Sequence, residues 1–317
     1  MRQIDAATLE RVLDDASLIE ALCDMFRQGC VAPVRHHHPV AVPGEPDAML
    51  LLMPAWVEGA SIGVKVVNVF PGNAQRGEAA VNGVYLLFSA RDGKIEAMLD
   101  GNMLTLRRTA CASALAATYL ARADAARMVM VGTGKLARHL IGAHGSARPI
   151  REVRIWGRSY DKAAIFAAEL SKLPRYAKVR IEAAADLADA VAWADVVSCA
   201  TLSPTPLIQG AWLKPGSHLD LVGAYTPAMR EADDAAVRRA AGAVYVDTRA
   251  GATKEAGDIV QPLANGTLAA DGIAGDLHEL ARGTAQGRRD DRQVTFFKSV
   301  GTALEDLAAA QLAVARA

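Results

Sequence analysis

The stretch RMVMVGTGKLARH, residues 127–139, decides the fold. Its apolar residues 128–131 predict a short buried strand, which a glycine turn connects to the start of a helix. The turn and the residues after it read G-x-G-x-x-A over 132–137. In this arrangement the first glycine permits a tight turn, the second lets a pyrophosphate approach the backbone, and free N–H groups of the helix face the phosphates. The stretch therefore predicts dinucleotide binding; the alternative is an ordinary strand-to-helix turn whose glycines are steric.

Strands and helices alternate through the rest of the C-terminal part. A long Ala-rich helix is predicted over 104–123. Further strand patterns follow at 152–156, 194–200, 217–222 and 243–247. Because βαβ units place successive strands parallel, this alternation predicts an α/β fold with a doubly wound parallel sheet of the Rossmann type. The last segment, 294–317, has a helix pattern and is expected to lie outside the sheet, packed on the first domain or bridging the two domains.

The N-terminal half has a different pattern, in which short strands are separated by turns. Apolar runs occur at 48–54, 61–70, 83–89 and 95–100. Gly, Pro, Asn and Asp residues separate these runs, which predicts antiparallel strands. A helix that begins near Asp14 is predicted to run through Phe26, and the stretch 31–39 is expected to be an irregular loop. This half is therefore predicted to be an α+β domain.

Composition and charge argue against several classes of function. The 317 residues suit two domains, and the balance of Lys+Arg (35) with Asp+Glu (35) gives no electrostatic reason to expect nucleic acid or a membrane as partner. Four scattered cysteines are typical of reduced thiols. The N-terminus has a helix pattern rather than that of a signal peptide, and no apolar run has the length of a membrane span. We therefore expect a cytoplasmic protein with a small-molecule partner.

The residues that follow strand 152–156 bear on the choice of dinucleotide. The acidic residue that would bond the ribose hydroxyls of NAD is missing there, and the sequence instead reads WGRS at 156–159. Arg158 and Ser159 could hold a 2′-phosphate, and Lys135 would add positive charge. We therefore favour NADP(H), with NAD(H) as the alternative. In that alternative Arg158 is a solvated loop residue.

Three cations in the N-terminal half are candidates for chemistry. Lys65 lies within the apolar run 62–67, where an unpaired ammonium is costly to bury, so an anionic partner or a lowered pKa is expected. Arg108 lies at the start of the Ala-rich helix, and Arg35 lies in the predicted loop. Two arginines and a lysine beside a nicotinamide would suit a small carboxylate substrate. The alternative for Lys65 is a position on an edge strand, facing water.

The histidine run His36-His37-His38 does not predict a metal site. Adjacent residues of a strand point to opposite faces, and no Cys, Asp or Glu cluster with ligand spacing accompanies the run. We expect the histidines to meet solvent or to form a hydrogen bond with substrate. No nucleophile motif such as G-x-S-x-G is present, and hydride transfer needs none because the cofactor carries the chemistry.

Nearly the whole chain resembles the ornithine cyclodeaminase/mu-crystallin family. The motifs that carry the resemblance are PVR at 33–35, GVKVVNVFPGN at 63–73, LTLRRTACASALAA at 104–117, VGTGKLA at 131–137, VRIWGRS at 153–159, LVGAYTPAMRE at 221–231 and FFKSVGTALEDLAAA at 296–310. The resemblance implies a Rossmann dinucleotide-binding domain over 113–291. It also implies a discontinuous substrate-binding and dimerisation domain over 1–112 with 292–317, and hence a homodimer.

The resemblance assigns roles to matching residues. Lys65 and Arg108 match catalytic positions. Contacts with the substrate are expected from Arg35, Lys65, Arg108, Met53, Tyr225 and Lys298. Contacts with the cofactor are expected from Thr109, Gly132, Thr133, Gly134, Lys135, Leu136, Gly157, Arg158, Ser159, Ala200, Thr201, Val222, Gly223 and Ala224. Most of the cofactor positions follow predicted strands, at the carboxyl edge where ligands of this fold bind.

One departure from the family pattern separates its branches. Ornithine cyclodeaminases have an aspartate, which serves deamination and ring closure, where this chain has Tyr225. A phenol is a poor base at neutral pH, and the motifs are most similar to the Δ1-pyrroline-2-carboxylate (ketimine) reductase branch. The resemblance therefore implies NAD(P)H-dependent reduction of cyclic ketimine carboxylates to L-proline or L-pipecolate. The alternatives are an ornithine cyclodeaminase, an alanine dehydrogenase and a non-catalytic mu-crystallin-like NADPH-binding protein.

Overall fold

The computed structural model describes the backbone of residues 1–317 and every side chain except that of Ala74. Within this described part the chain divides into two compact units. The first consists of Met1–Thr109 with Gly301–Ala317, and the second is Ala110–Val300. The first unit is therefore discontinuous in sequence, because both ends of the chain contribute to it.

Strands and helices are numbered along the chain. The strands are β1 (Arg2–Ile4), β2 (His36–Val40), β3 (Ala48–Val57), β4 (Ser61–Val69), β5 (Val81–Ser89), β6 (Ile95–Asp100), β7 (Arg127–Val131), β8 (Glu152–Trp156), β9 (Arg180–Ala183), β10 (Val196–Cys199), β11 (His218–Leu221), β12 (Val244–Val246), β13 (Ile273–Asp276) and β14 (Thr295–Lys298). The α-helices are α1 (Ala6–Val12), α2 (Asp15–Gln28), α3 (Gly101–Leu120), α4 (Lys135–Ala147), α5 (Tyr160–Ser171), α6 (Leu187–Trp193), α7 (Asp234–Arg239), α8 (Arg249–Glu255), α9 (Gly257–Ala264), α10 (Leu277–Arg282) and α11 (Ala303–Arg316). Short 3₁₀ helices cover Pro71–Arg76, Pro174–Tyr176 and Gly210–Trp212. In the described part of the chain, no helix is both long and apolar enough to span a bilayer.

The first unit is built on one sheet, whose described strands have the order β1-β6-β5-β4-β3-β2. Strands β2 to β6 pair antiparallel in succession, and β1 joins β6 in parallel. The four predicted antiparallel strands are thus confirmed, within a few residues of their predicted bounds. The helix predicted to begin near Asp14 is also confirmed, because Asp14 accepts a hydrogen bond from the Ser17 N–H in front of α2.

The prediction of an irregular loop over 31–39 was wrong for its second half. His36–Val40 forms strand β2, which lies at the edge of the sheet and pairs with β3. All five side chains of β2 are exposed. Because this strand has no buried face, it lacks the apolar alternation that reveals most strands, and an edge strand tolerates Pro39.

Strand β4 lies inside the sheet, between β3 and β5. The alternative of an edge lysine facing water is therefore wrong, and Lys65 is only 1 % exposed. Its direct cross-strand neighbours are Met53 on β3 and Tyr85 on β5, and both side chains are buried. These neighbours supply no anion, so the buried ammonium needs a partner from another element.

The second unit contains a parallel sheet with the order β13-β12-β14-β11-β10-β7-β8-β9 among its described strands. Every described pair in it is parallel. This confirms the predicted Rossmann-type α/β fold. Strands β7 and β8 have their predicted bounds, and β10, β11 and β12 are shorter than predicted. Strands β9 and β13, at the two edges, were not predicted.

The segment 294–317 was predicted to be one helix outside the sheet, and this was wrong for its first part. Its helical part, α11, lies in the first unit, which is one of the two placements expected. Thr295–Lys298 forms β14, which lies between β11 and β12, and α11 begins only at Ala303. The run Thr-Phe-Phe-Lys contains β-branched and aromatic residues that favour strands, and all four side chains are buried. The second unit contains β14 and runs from Ala110 to Val300. The domain bounds of 113–291 that the resemblance implies stay a prediction.

Candidate functional site

The glycine turn joins β7 to α4. Gly132 has a φ angle of 118°, and a Cβ added there would lie 2.7 Å from the Ala200 carbonyl oxygen, so this position requires glycine. Gly134 directly precedes α4 and provides no side-chain cap. A Cβ added to Gly134 would meet no described atom within 4 Å apart from its chain neighbours. The N-terminus of α4 is therefore open to an approaching pyrophosphate, which its N–H groups and helix dipole favour.

The loop after β8 lies beside this turn. A Cβ added to Gly157 would lie 3.0 Å from Thr133 Cγ2, so the loop approaches the turn closely. Ser159 caps α5 by accepting a hydrogen bond from the Lys162 N–H at 3.3 Å. Arg158 is exposed, and so is Lys135 at the start of α4. Two exposed cations next to the glycine turn are accessible to a phosphate group.

A buried carboxylate, which the sequence reasoning missed, holds two further segments that were predicted to contact the cofactor. Glu231 Oε1 accepts hydrogen bonds from the Thr201 N–H at 2.6 Å and from the Thr201 hydroxyl at 2.9 Å. Glu231 Oε2 accepts from the N–H groups of Gly223 at 2.7 Å and Ala224 at 3.3 Å. One side chain therefore fixes the loops that follow β10 and β11. The available signal was the position of Glu231 at the end of the LVGAYTPAMRE motif.

Lys298 lies behind this carboxylate and is completely buried. Its Nζ lies 3.4 Å from Asp258 Oδ2 and 3.8 Å from Glu231 Oε2. Asp258 Oδ1 also accepts hydrogen bonds from the N–H groups of Glu231 at 2.9 Å and Ala232 at 3.0 Å. Burial raises the pKa of Glu231, and the Lys298 ammonium opposes that rise. This geometry favours a positioning role for Lys298 over the expected contact with substrate.

In the first unit, two of the three candidate cations share one carboxylate. Lys65 Nζ lies 2.7 Å from both oxygens of Asp306 and donates a hydrogen bond to Thr105 Oγ1 at 3.3 Å. Arg108 Nε bonds Asp306 Oδ1 at 2.9 Å, and Arg108 Nη1 bonds Glu305 Oε2 at 2.6 Å. Both carboxylates lie in the first turn of α11, where the helix dipole stabilises negative charge.

Arg35 meets the same segment through a backbone group. Its Nη2 donates to the Gly301 carbonyl oxygen at 2.6 Å. Gly301 has a φ angle of 80°, and a Cβ added there would lie 2.2 Å from Arg108 Nη1. All three candidate cations therefore converge on residues 301–306. We call Arg35, Lys65, Arg108, Glu305 and Asp306 the charged cluster.

The surroundings of Lys65 shift its pKa towards neutrality. Burial lowers the pKa of Lys65 to about 7, and the Arg108 guanidinium acts in the same direction. The Asp306 carboxylate opposes both effects. A lysine with a pKa near neutrality can give up a proton and take it back at physiological pH.

The remaining predicted residues have varied surroundings. Met53 is 2 % exposed and lies directly opposite Lys65, and Thr109 is 9 % exposed. Tyr225 is 38 % exposed, and partial burial raises the pKa of its hydroxyl. That hydroxyl is therefore protonated at neutral pH and is no general base. Among the described residues, no group of three or more His, Cys, Asp or Glu side chains could hold a metal ion.

A doubly wound parallel sheet with this glycine turn, accompanied by a unit that carries a buried lysine and two arginines, defines a nicotinamide-dependent oxidoreductase. The model of the ornithine cyclodeaminase/mu-crystallin family matches residues 2–317. The chain therefore belongs to this family, which confirms the resemblance seen in its motifs.

Similar proteins indicate the branch. Protein SAR DEFICIENT 4 of Arabidopsis thaliana is 41 % identical over 89 % of this chain and 86 % of its own length. Delta(1)-pyrroline-2-carboxylate reductase of Paracoccus denitrificans is 38 % identical over 90 % of this chain and 88 % of its own. The structure of Thermococcus litoralis Delta(1)-pyrroline-2-carboxylate reductase in complex with NADH and L-proline is similar with a TM-score of 0.92 and 29 % identity, covering 100 % of this chain and 97 % of that one. These likenesses confirm the predicted branch and the enzyme class, an NAD(P)H-dependent oxidoreductase.

Proposed function

We propose that this enzyme reduces cyclic ketimine carboxylates with NAD(P)H, converting Δ1-pyrroline-2-carboxylate to L-proline and Δ1-piperideine-2-carboxylate to L-pipecolate. The observation that carries the proposal is the convergence of Arg35, Lys65 and Arg108 on residues 301–306. The similar proteins named Delta(1)-pyrroline-2-carboxylate reductase support it.

The charge of the cluster suits a substrate with one carboxylate. With Lys65 protonated, the described side chains that define the charged cluster carry three positive charges and two negative charges, so one positive charge remains. We assign Arg35 and Arg108 to the substrate carboxylate, because guanidinium groups pair with carboxylates through parallel hydrogen bonds. A carboxylate held in this way keeps the adjacent C=N group in one orientation, which hydride transfer requires.

Lys65 supplies the proton in this proposal. An imine accepts a hydride best when its nitrogen is protonated, so an acid at the nitrogen accelerates the reaction. With a pKa of about 7, Lys65 is partly protonated at neutral pH. The hydride itself comes from the bound nicotinamide cofactor.

NADP(H) is the favoured cofactor, and NAD(H) the alternative. Gly132 and Gly134 would hold the pyrophosphate, and Arg158 with Lys135 would pair with a 2′-phosphate. The test compares kcat/KM for NADPH and NADH in the wild type and in Arg158→Ala. If the proposal holds, the variant loses about tenfold or more with NADPH and little with NADH. Equal losses with both cofactors would contradict it.

The test of the reaction follows oxidation of NADPH and NADH with the five- and six-membered imines. We expect turnover with both imines and a loss of about a hundredfold or more in Lys65→Ala. Lys94→Ala is the matched control, because Lys94 belongs to the same unit and its side chain is 82 % exposed. Undiminished turnover in Lys65→Ala would remove the role of Lys65. Ammonia release from L-ornithine, amination of pyruvate, or cofactor binding without any turnover would instead support one of the three alternatives.

A homodimer is the second part of the proposal. The face of the first sheet opposite Lys65 is apolar and only partly buried. It includes Leu50, Leu52, Trp56, Ile62, Val64, Val66, Leu86 and Phe88. Apolar surface of this extent is typical of protein interfaces, and a second copy would cover it. Sedimentation of the wild type and Phe88→Asp tests this: a dimer that the substitution dissociates is expected, and a monomeric wild type refutes it.

A further inference from the structure

We propose that Thr105 and Asp306 clamp two sides of the Lys65 amine. The same third side of its nitrogen then faces the substrate, whether the amine is protonated or neutral. This inference rests on the proposed function and assigns two positioning residues to it. Thr105 lies in α3 and Asp306 lies in α11, so the clamp joins two helices to the strand that carries Lys65.

The direction of each hydrogen bond follows from the partners. The Thr105 hydroxyl donates its only hydrogen to the Gly101 carbonyl oxygen at 2.7 Å. Thr105 Oγ1 must therefore accept in its contact with Lys65 Nζ at 3.3 Å. The Asp306 carboxylate accepts from the same nitrogen at 2.7 Å. Lys65 thus donates two hydrogens, and no other described residue takes a third.

Two donated hydrogens suit both forms of the amine. An ammonium has three N–H bonds, so two serve the clamp and the third is left for the imine nitrogen. A neutral amine has two N–H bonds, so both serve the clamp and the lone pair occupies the third direction. In reduction, the third N–H bond of Lys65 breaks as the N–H bond of the ring forms, and the ring carbon takes the hydride that a bound nicotinamide would supply. In oxidation of the amino acid, the lone pair takes that proton back.

Asp306 is itself held in place. Arg108 Nε bonds the Asp306 oxygen that accepts from Lys65, and Glu305 holds the other end of the Arg108 guanidinium. The charged and titratable groups around Lys65 are Asp306 and Glu305 on α11, Arg108 on α3, Arg35 before β2 and Tyr85 on β5. Burial raises the pKa of Tyr85 well above its usual value, so its phenol stays neutral. Burial and the two arginines lower the pKa of Lys65, and the Asp306 carboxylate of the clamp opposes them.

The first experiment measures the pKa of Lys65 directly. The Cε chemical shift is followed from pH 5 to 10 in protein labelled with ¹³C-lysine, with Lys65→Arg used to assign the signal. D306N is expected to lower the pKa of Lys65 by about one unit or more, because an opposite charge is lost. T105V is expected to lower it by about half a unit, because the hydrogen bond favours the ammonium. T105S, which keeps the hydroxyl, is expected to restore the wild-type pKa.

A matched control separates the clamp from the stability of the helix. The hydroxyl of Thr118, also in α3, donates to the Leu115 carbonyl oxygen at 2.6 Å, so T118V removes a comparable bond away from Lys65. The clamp is refuted if T105V and T118V leave the pKa of Lys65 equally unchanged. D306N, which could unfold the first unit, is not needed for this comparison.

The second experiment uses turnover. The rate of imine reduction should fall as pH rises through the pKa of Lys65, and the rate of L-proline oxidation should rise through it. T105V should move both pH–rate profiles to lower pH, by the same amount as the pKa of Lys65 shifts in the spectra. It should also lower kcat about tenfold with little change in KM. The clamp is refuted if the pH–rate profiles of T105V coincide with those of the wild type. A wild type without turnover on imines would refute the proposed function alone, because the spectra still decide the clamp.

Discussion

Glu231→Gln is the substitution for which the structure gives the largest calculable effect. In the wild type, the two carboxylate oxygens accept four hydrogen bonds, from Thr201, Gly223 and Ala224. A glutamine can keep the two bonds to Thr201 through its oxygen, but its NH₂ group then faces the two other N–H donors. Each buried donor left without an acceptor costs about 1–3 kcal/mol. The loss of the charge beside Lys298 adds to this cost, so we expect about 4 kcal/mol in total.

Two measurements check this value. Urea unfolding should show the free energy of unfolding of Glu231→Gln reduced by about 4 kcal/mol, and the melting temperature should fall by about 10 °C. Fluorescence titration should show the dissociation constant for NADPH raised about tenfold, because the loops after β10 and β11 lose their common anchor. Glu182→Gln is the control, since Glu182 pairs with Arg154 on the surface of the same unit and is 36 % exposed. Its effect should stay below about 1 kcal/mol.

An anchoring role of Glu231 is refuted if the free energy of unfolding of Glu231→Gln lies within about 1 kcal/mol of that of the control and its dissociation constant for NADPH is unchanged. That result would mean that the two loops keep their conformation without the carboxylate. A loss of stability with unchanged NADPH binding would refute only part of this role, because Glu231 would then stabilise the fold without affecting cofactor binding.

Three further outcomes are expected. Gly301→Ala places a Cβ 2.2 Å from Arg108 Nη1 at a φ angle of 80°; it should lower kcat/KM for the imine about tenfold in the steady state, with NADPH affinity unchanged in titration. Gly134→Val points its side chain into space that holds no described atom within 4 Å; NADPH should bind at least about tenfold more weakly by fluorescence, while the melting temperature stays within about 2 °C. Burial lowers the pKa of His218 to about 3. Below about pH 6.5 this histidine is therefore protonated in the unfolded chain but stays neutral in the folded protein. The free energy of unfolding should therefore fall as pH drops from 6.5 towards 3, by up to about 1.4 kcal/mol per pH unit from this group. Urea unfolding at several pH values between 7 and 5 should show that this free energy depends less steeply on pH in His218→Asn.

The second unit was the more predictable because its sequence signals are local. The apolar run, the glycine turn and the helix start lie within residues 127–139, and each has a distinct physical cause. The edge strands β9 and β13 are partly exposed and lack such a continuous apolar run. β14 was missed for another reason: a short apolar run next to a helix cannot be separated from that helix by periodicity alone.

The cations of the site could be predicted from the sequence, but the carboxylates that pair with them could not. A lysine inside an apolar strand is conspicuous, which is why Lys65 could be singled out before its surroundings were known. Asp306, its partner, lies 241 residues further along the chain, in a helix whose other charges are ordinary. Glu231 was hidden in the same way, because its role depends on loops that follow two different strands. Long-range pairs of this kind need the tertiary structure.

The charged cluster also limits when the first unit can be completed. Lys65 and Arg108 are 1 % and 4 % exposed, and their carboxylate partners Glu305 and Asp306 both lie in the first turn of α11. A buried cation that lacks its partner costs several kcal/mol, enough to offset much of the stability of a domain. Because α11 follows β14, the parallel sheet is complete in sequence before either carboxylate has been made. The charged cluster therefore cannot be buried with its carboxylate partners until α11 has been made, and by then every strand of the parallel sheet is available to fold.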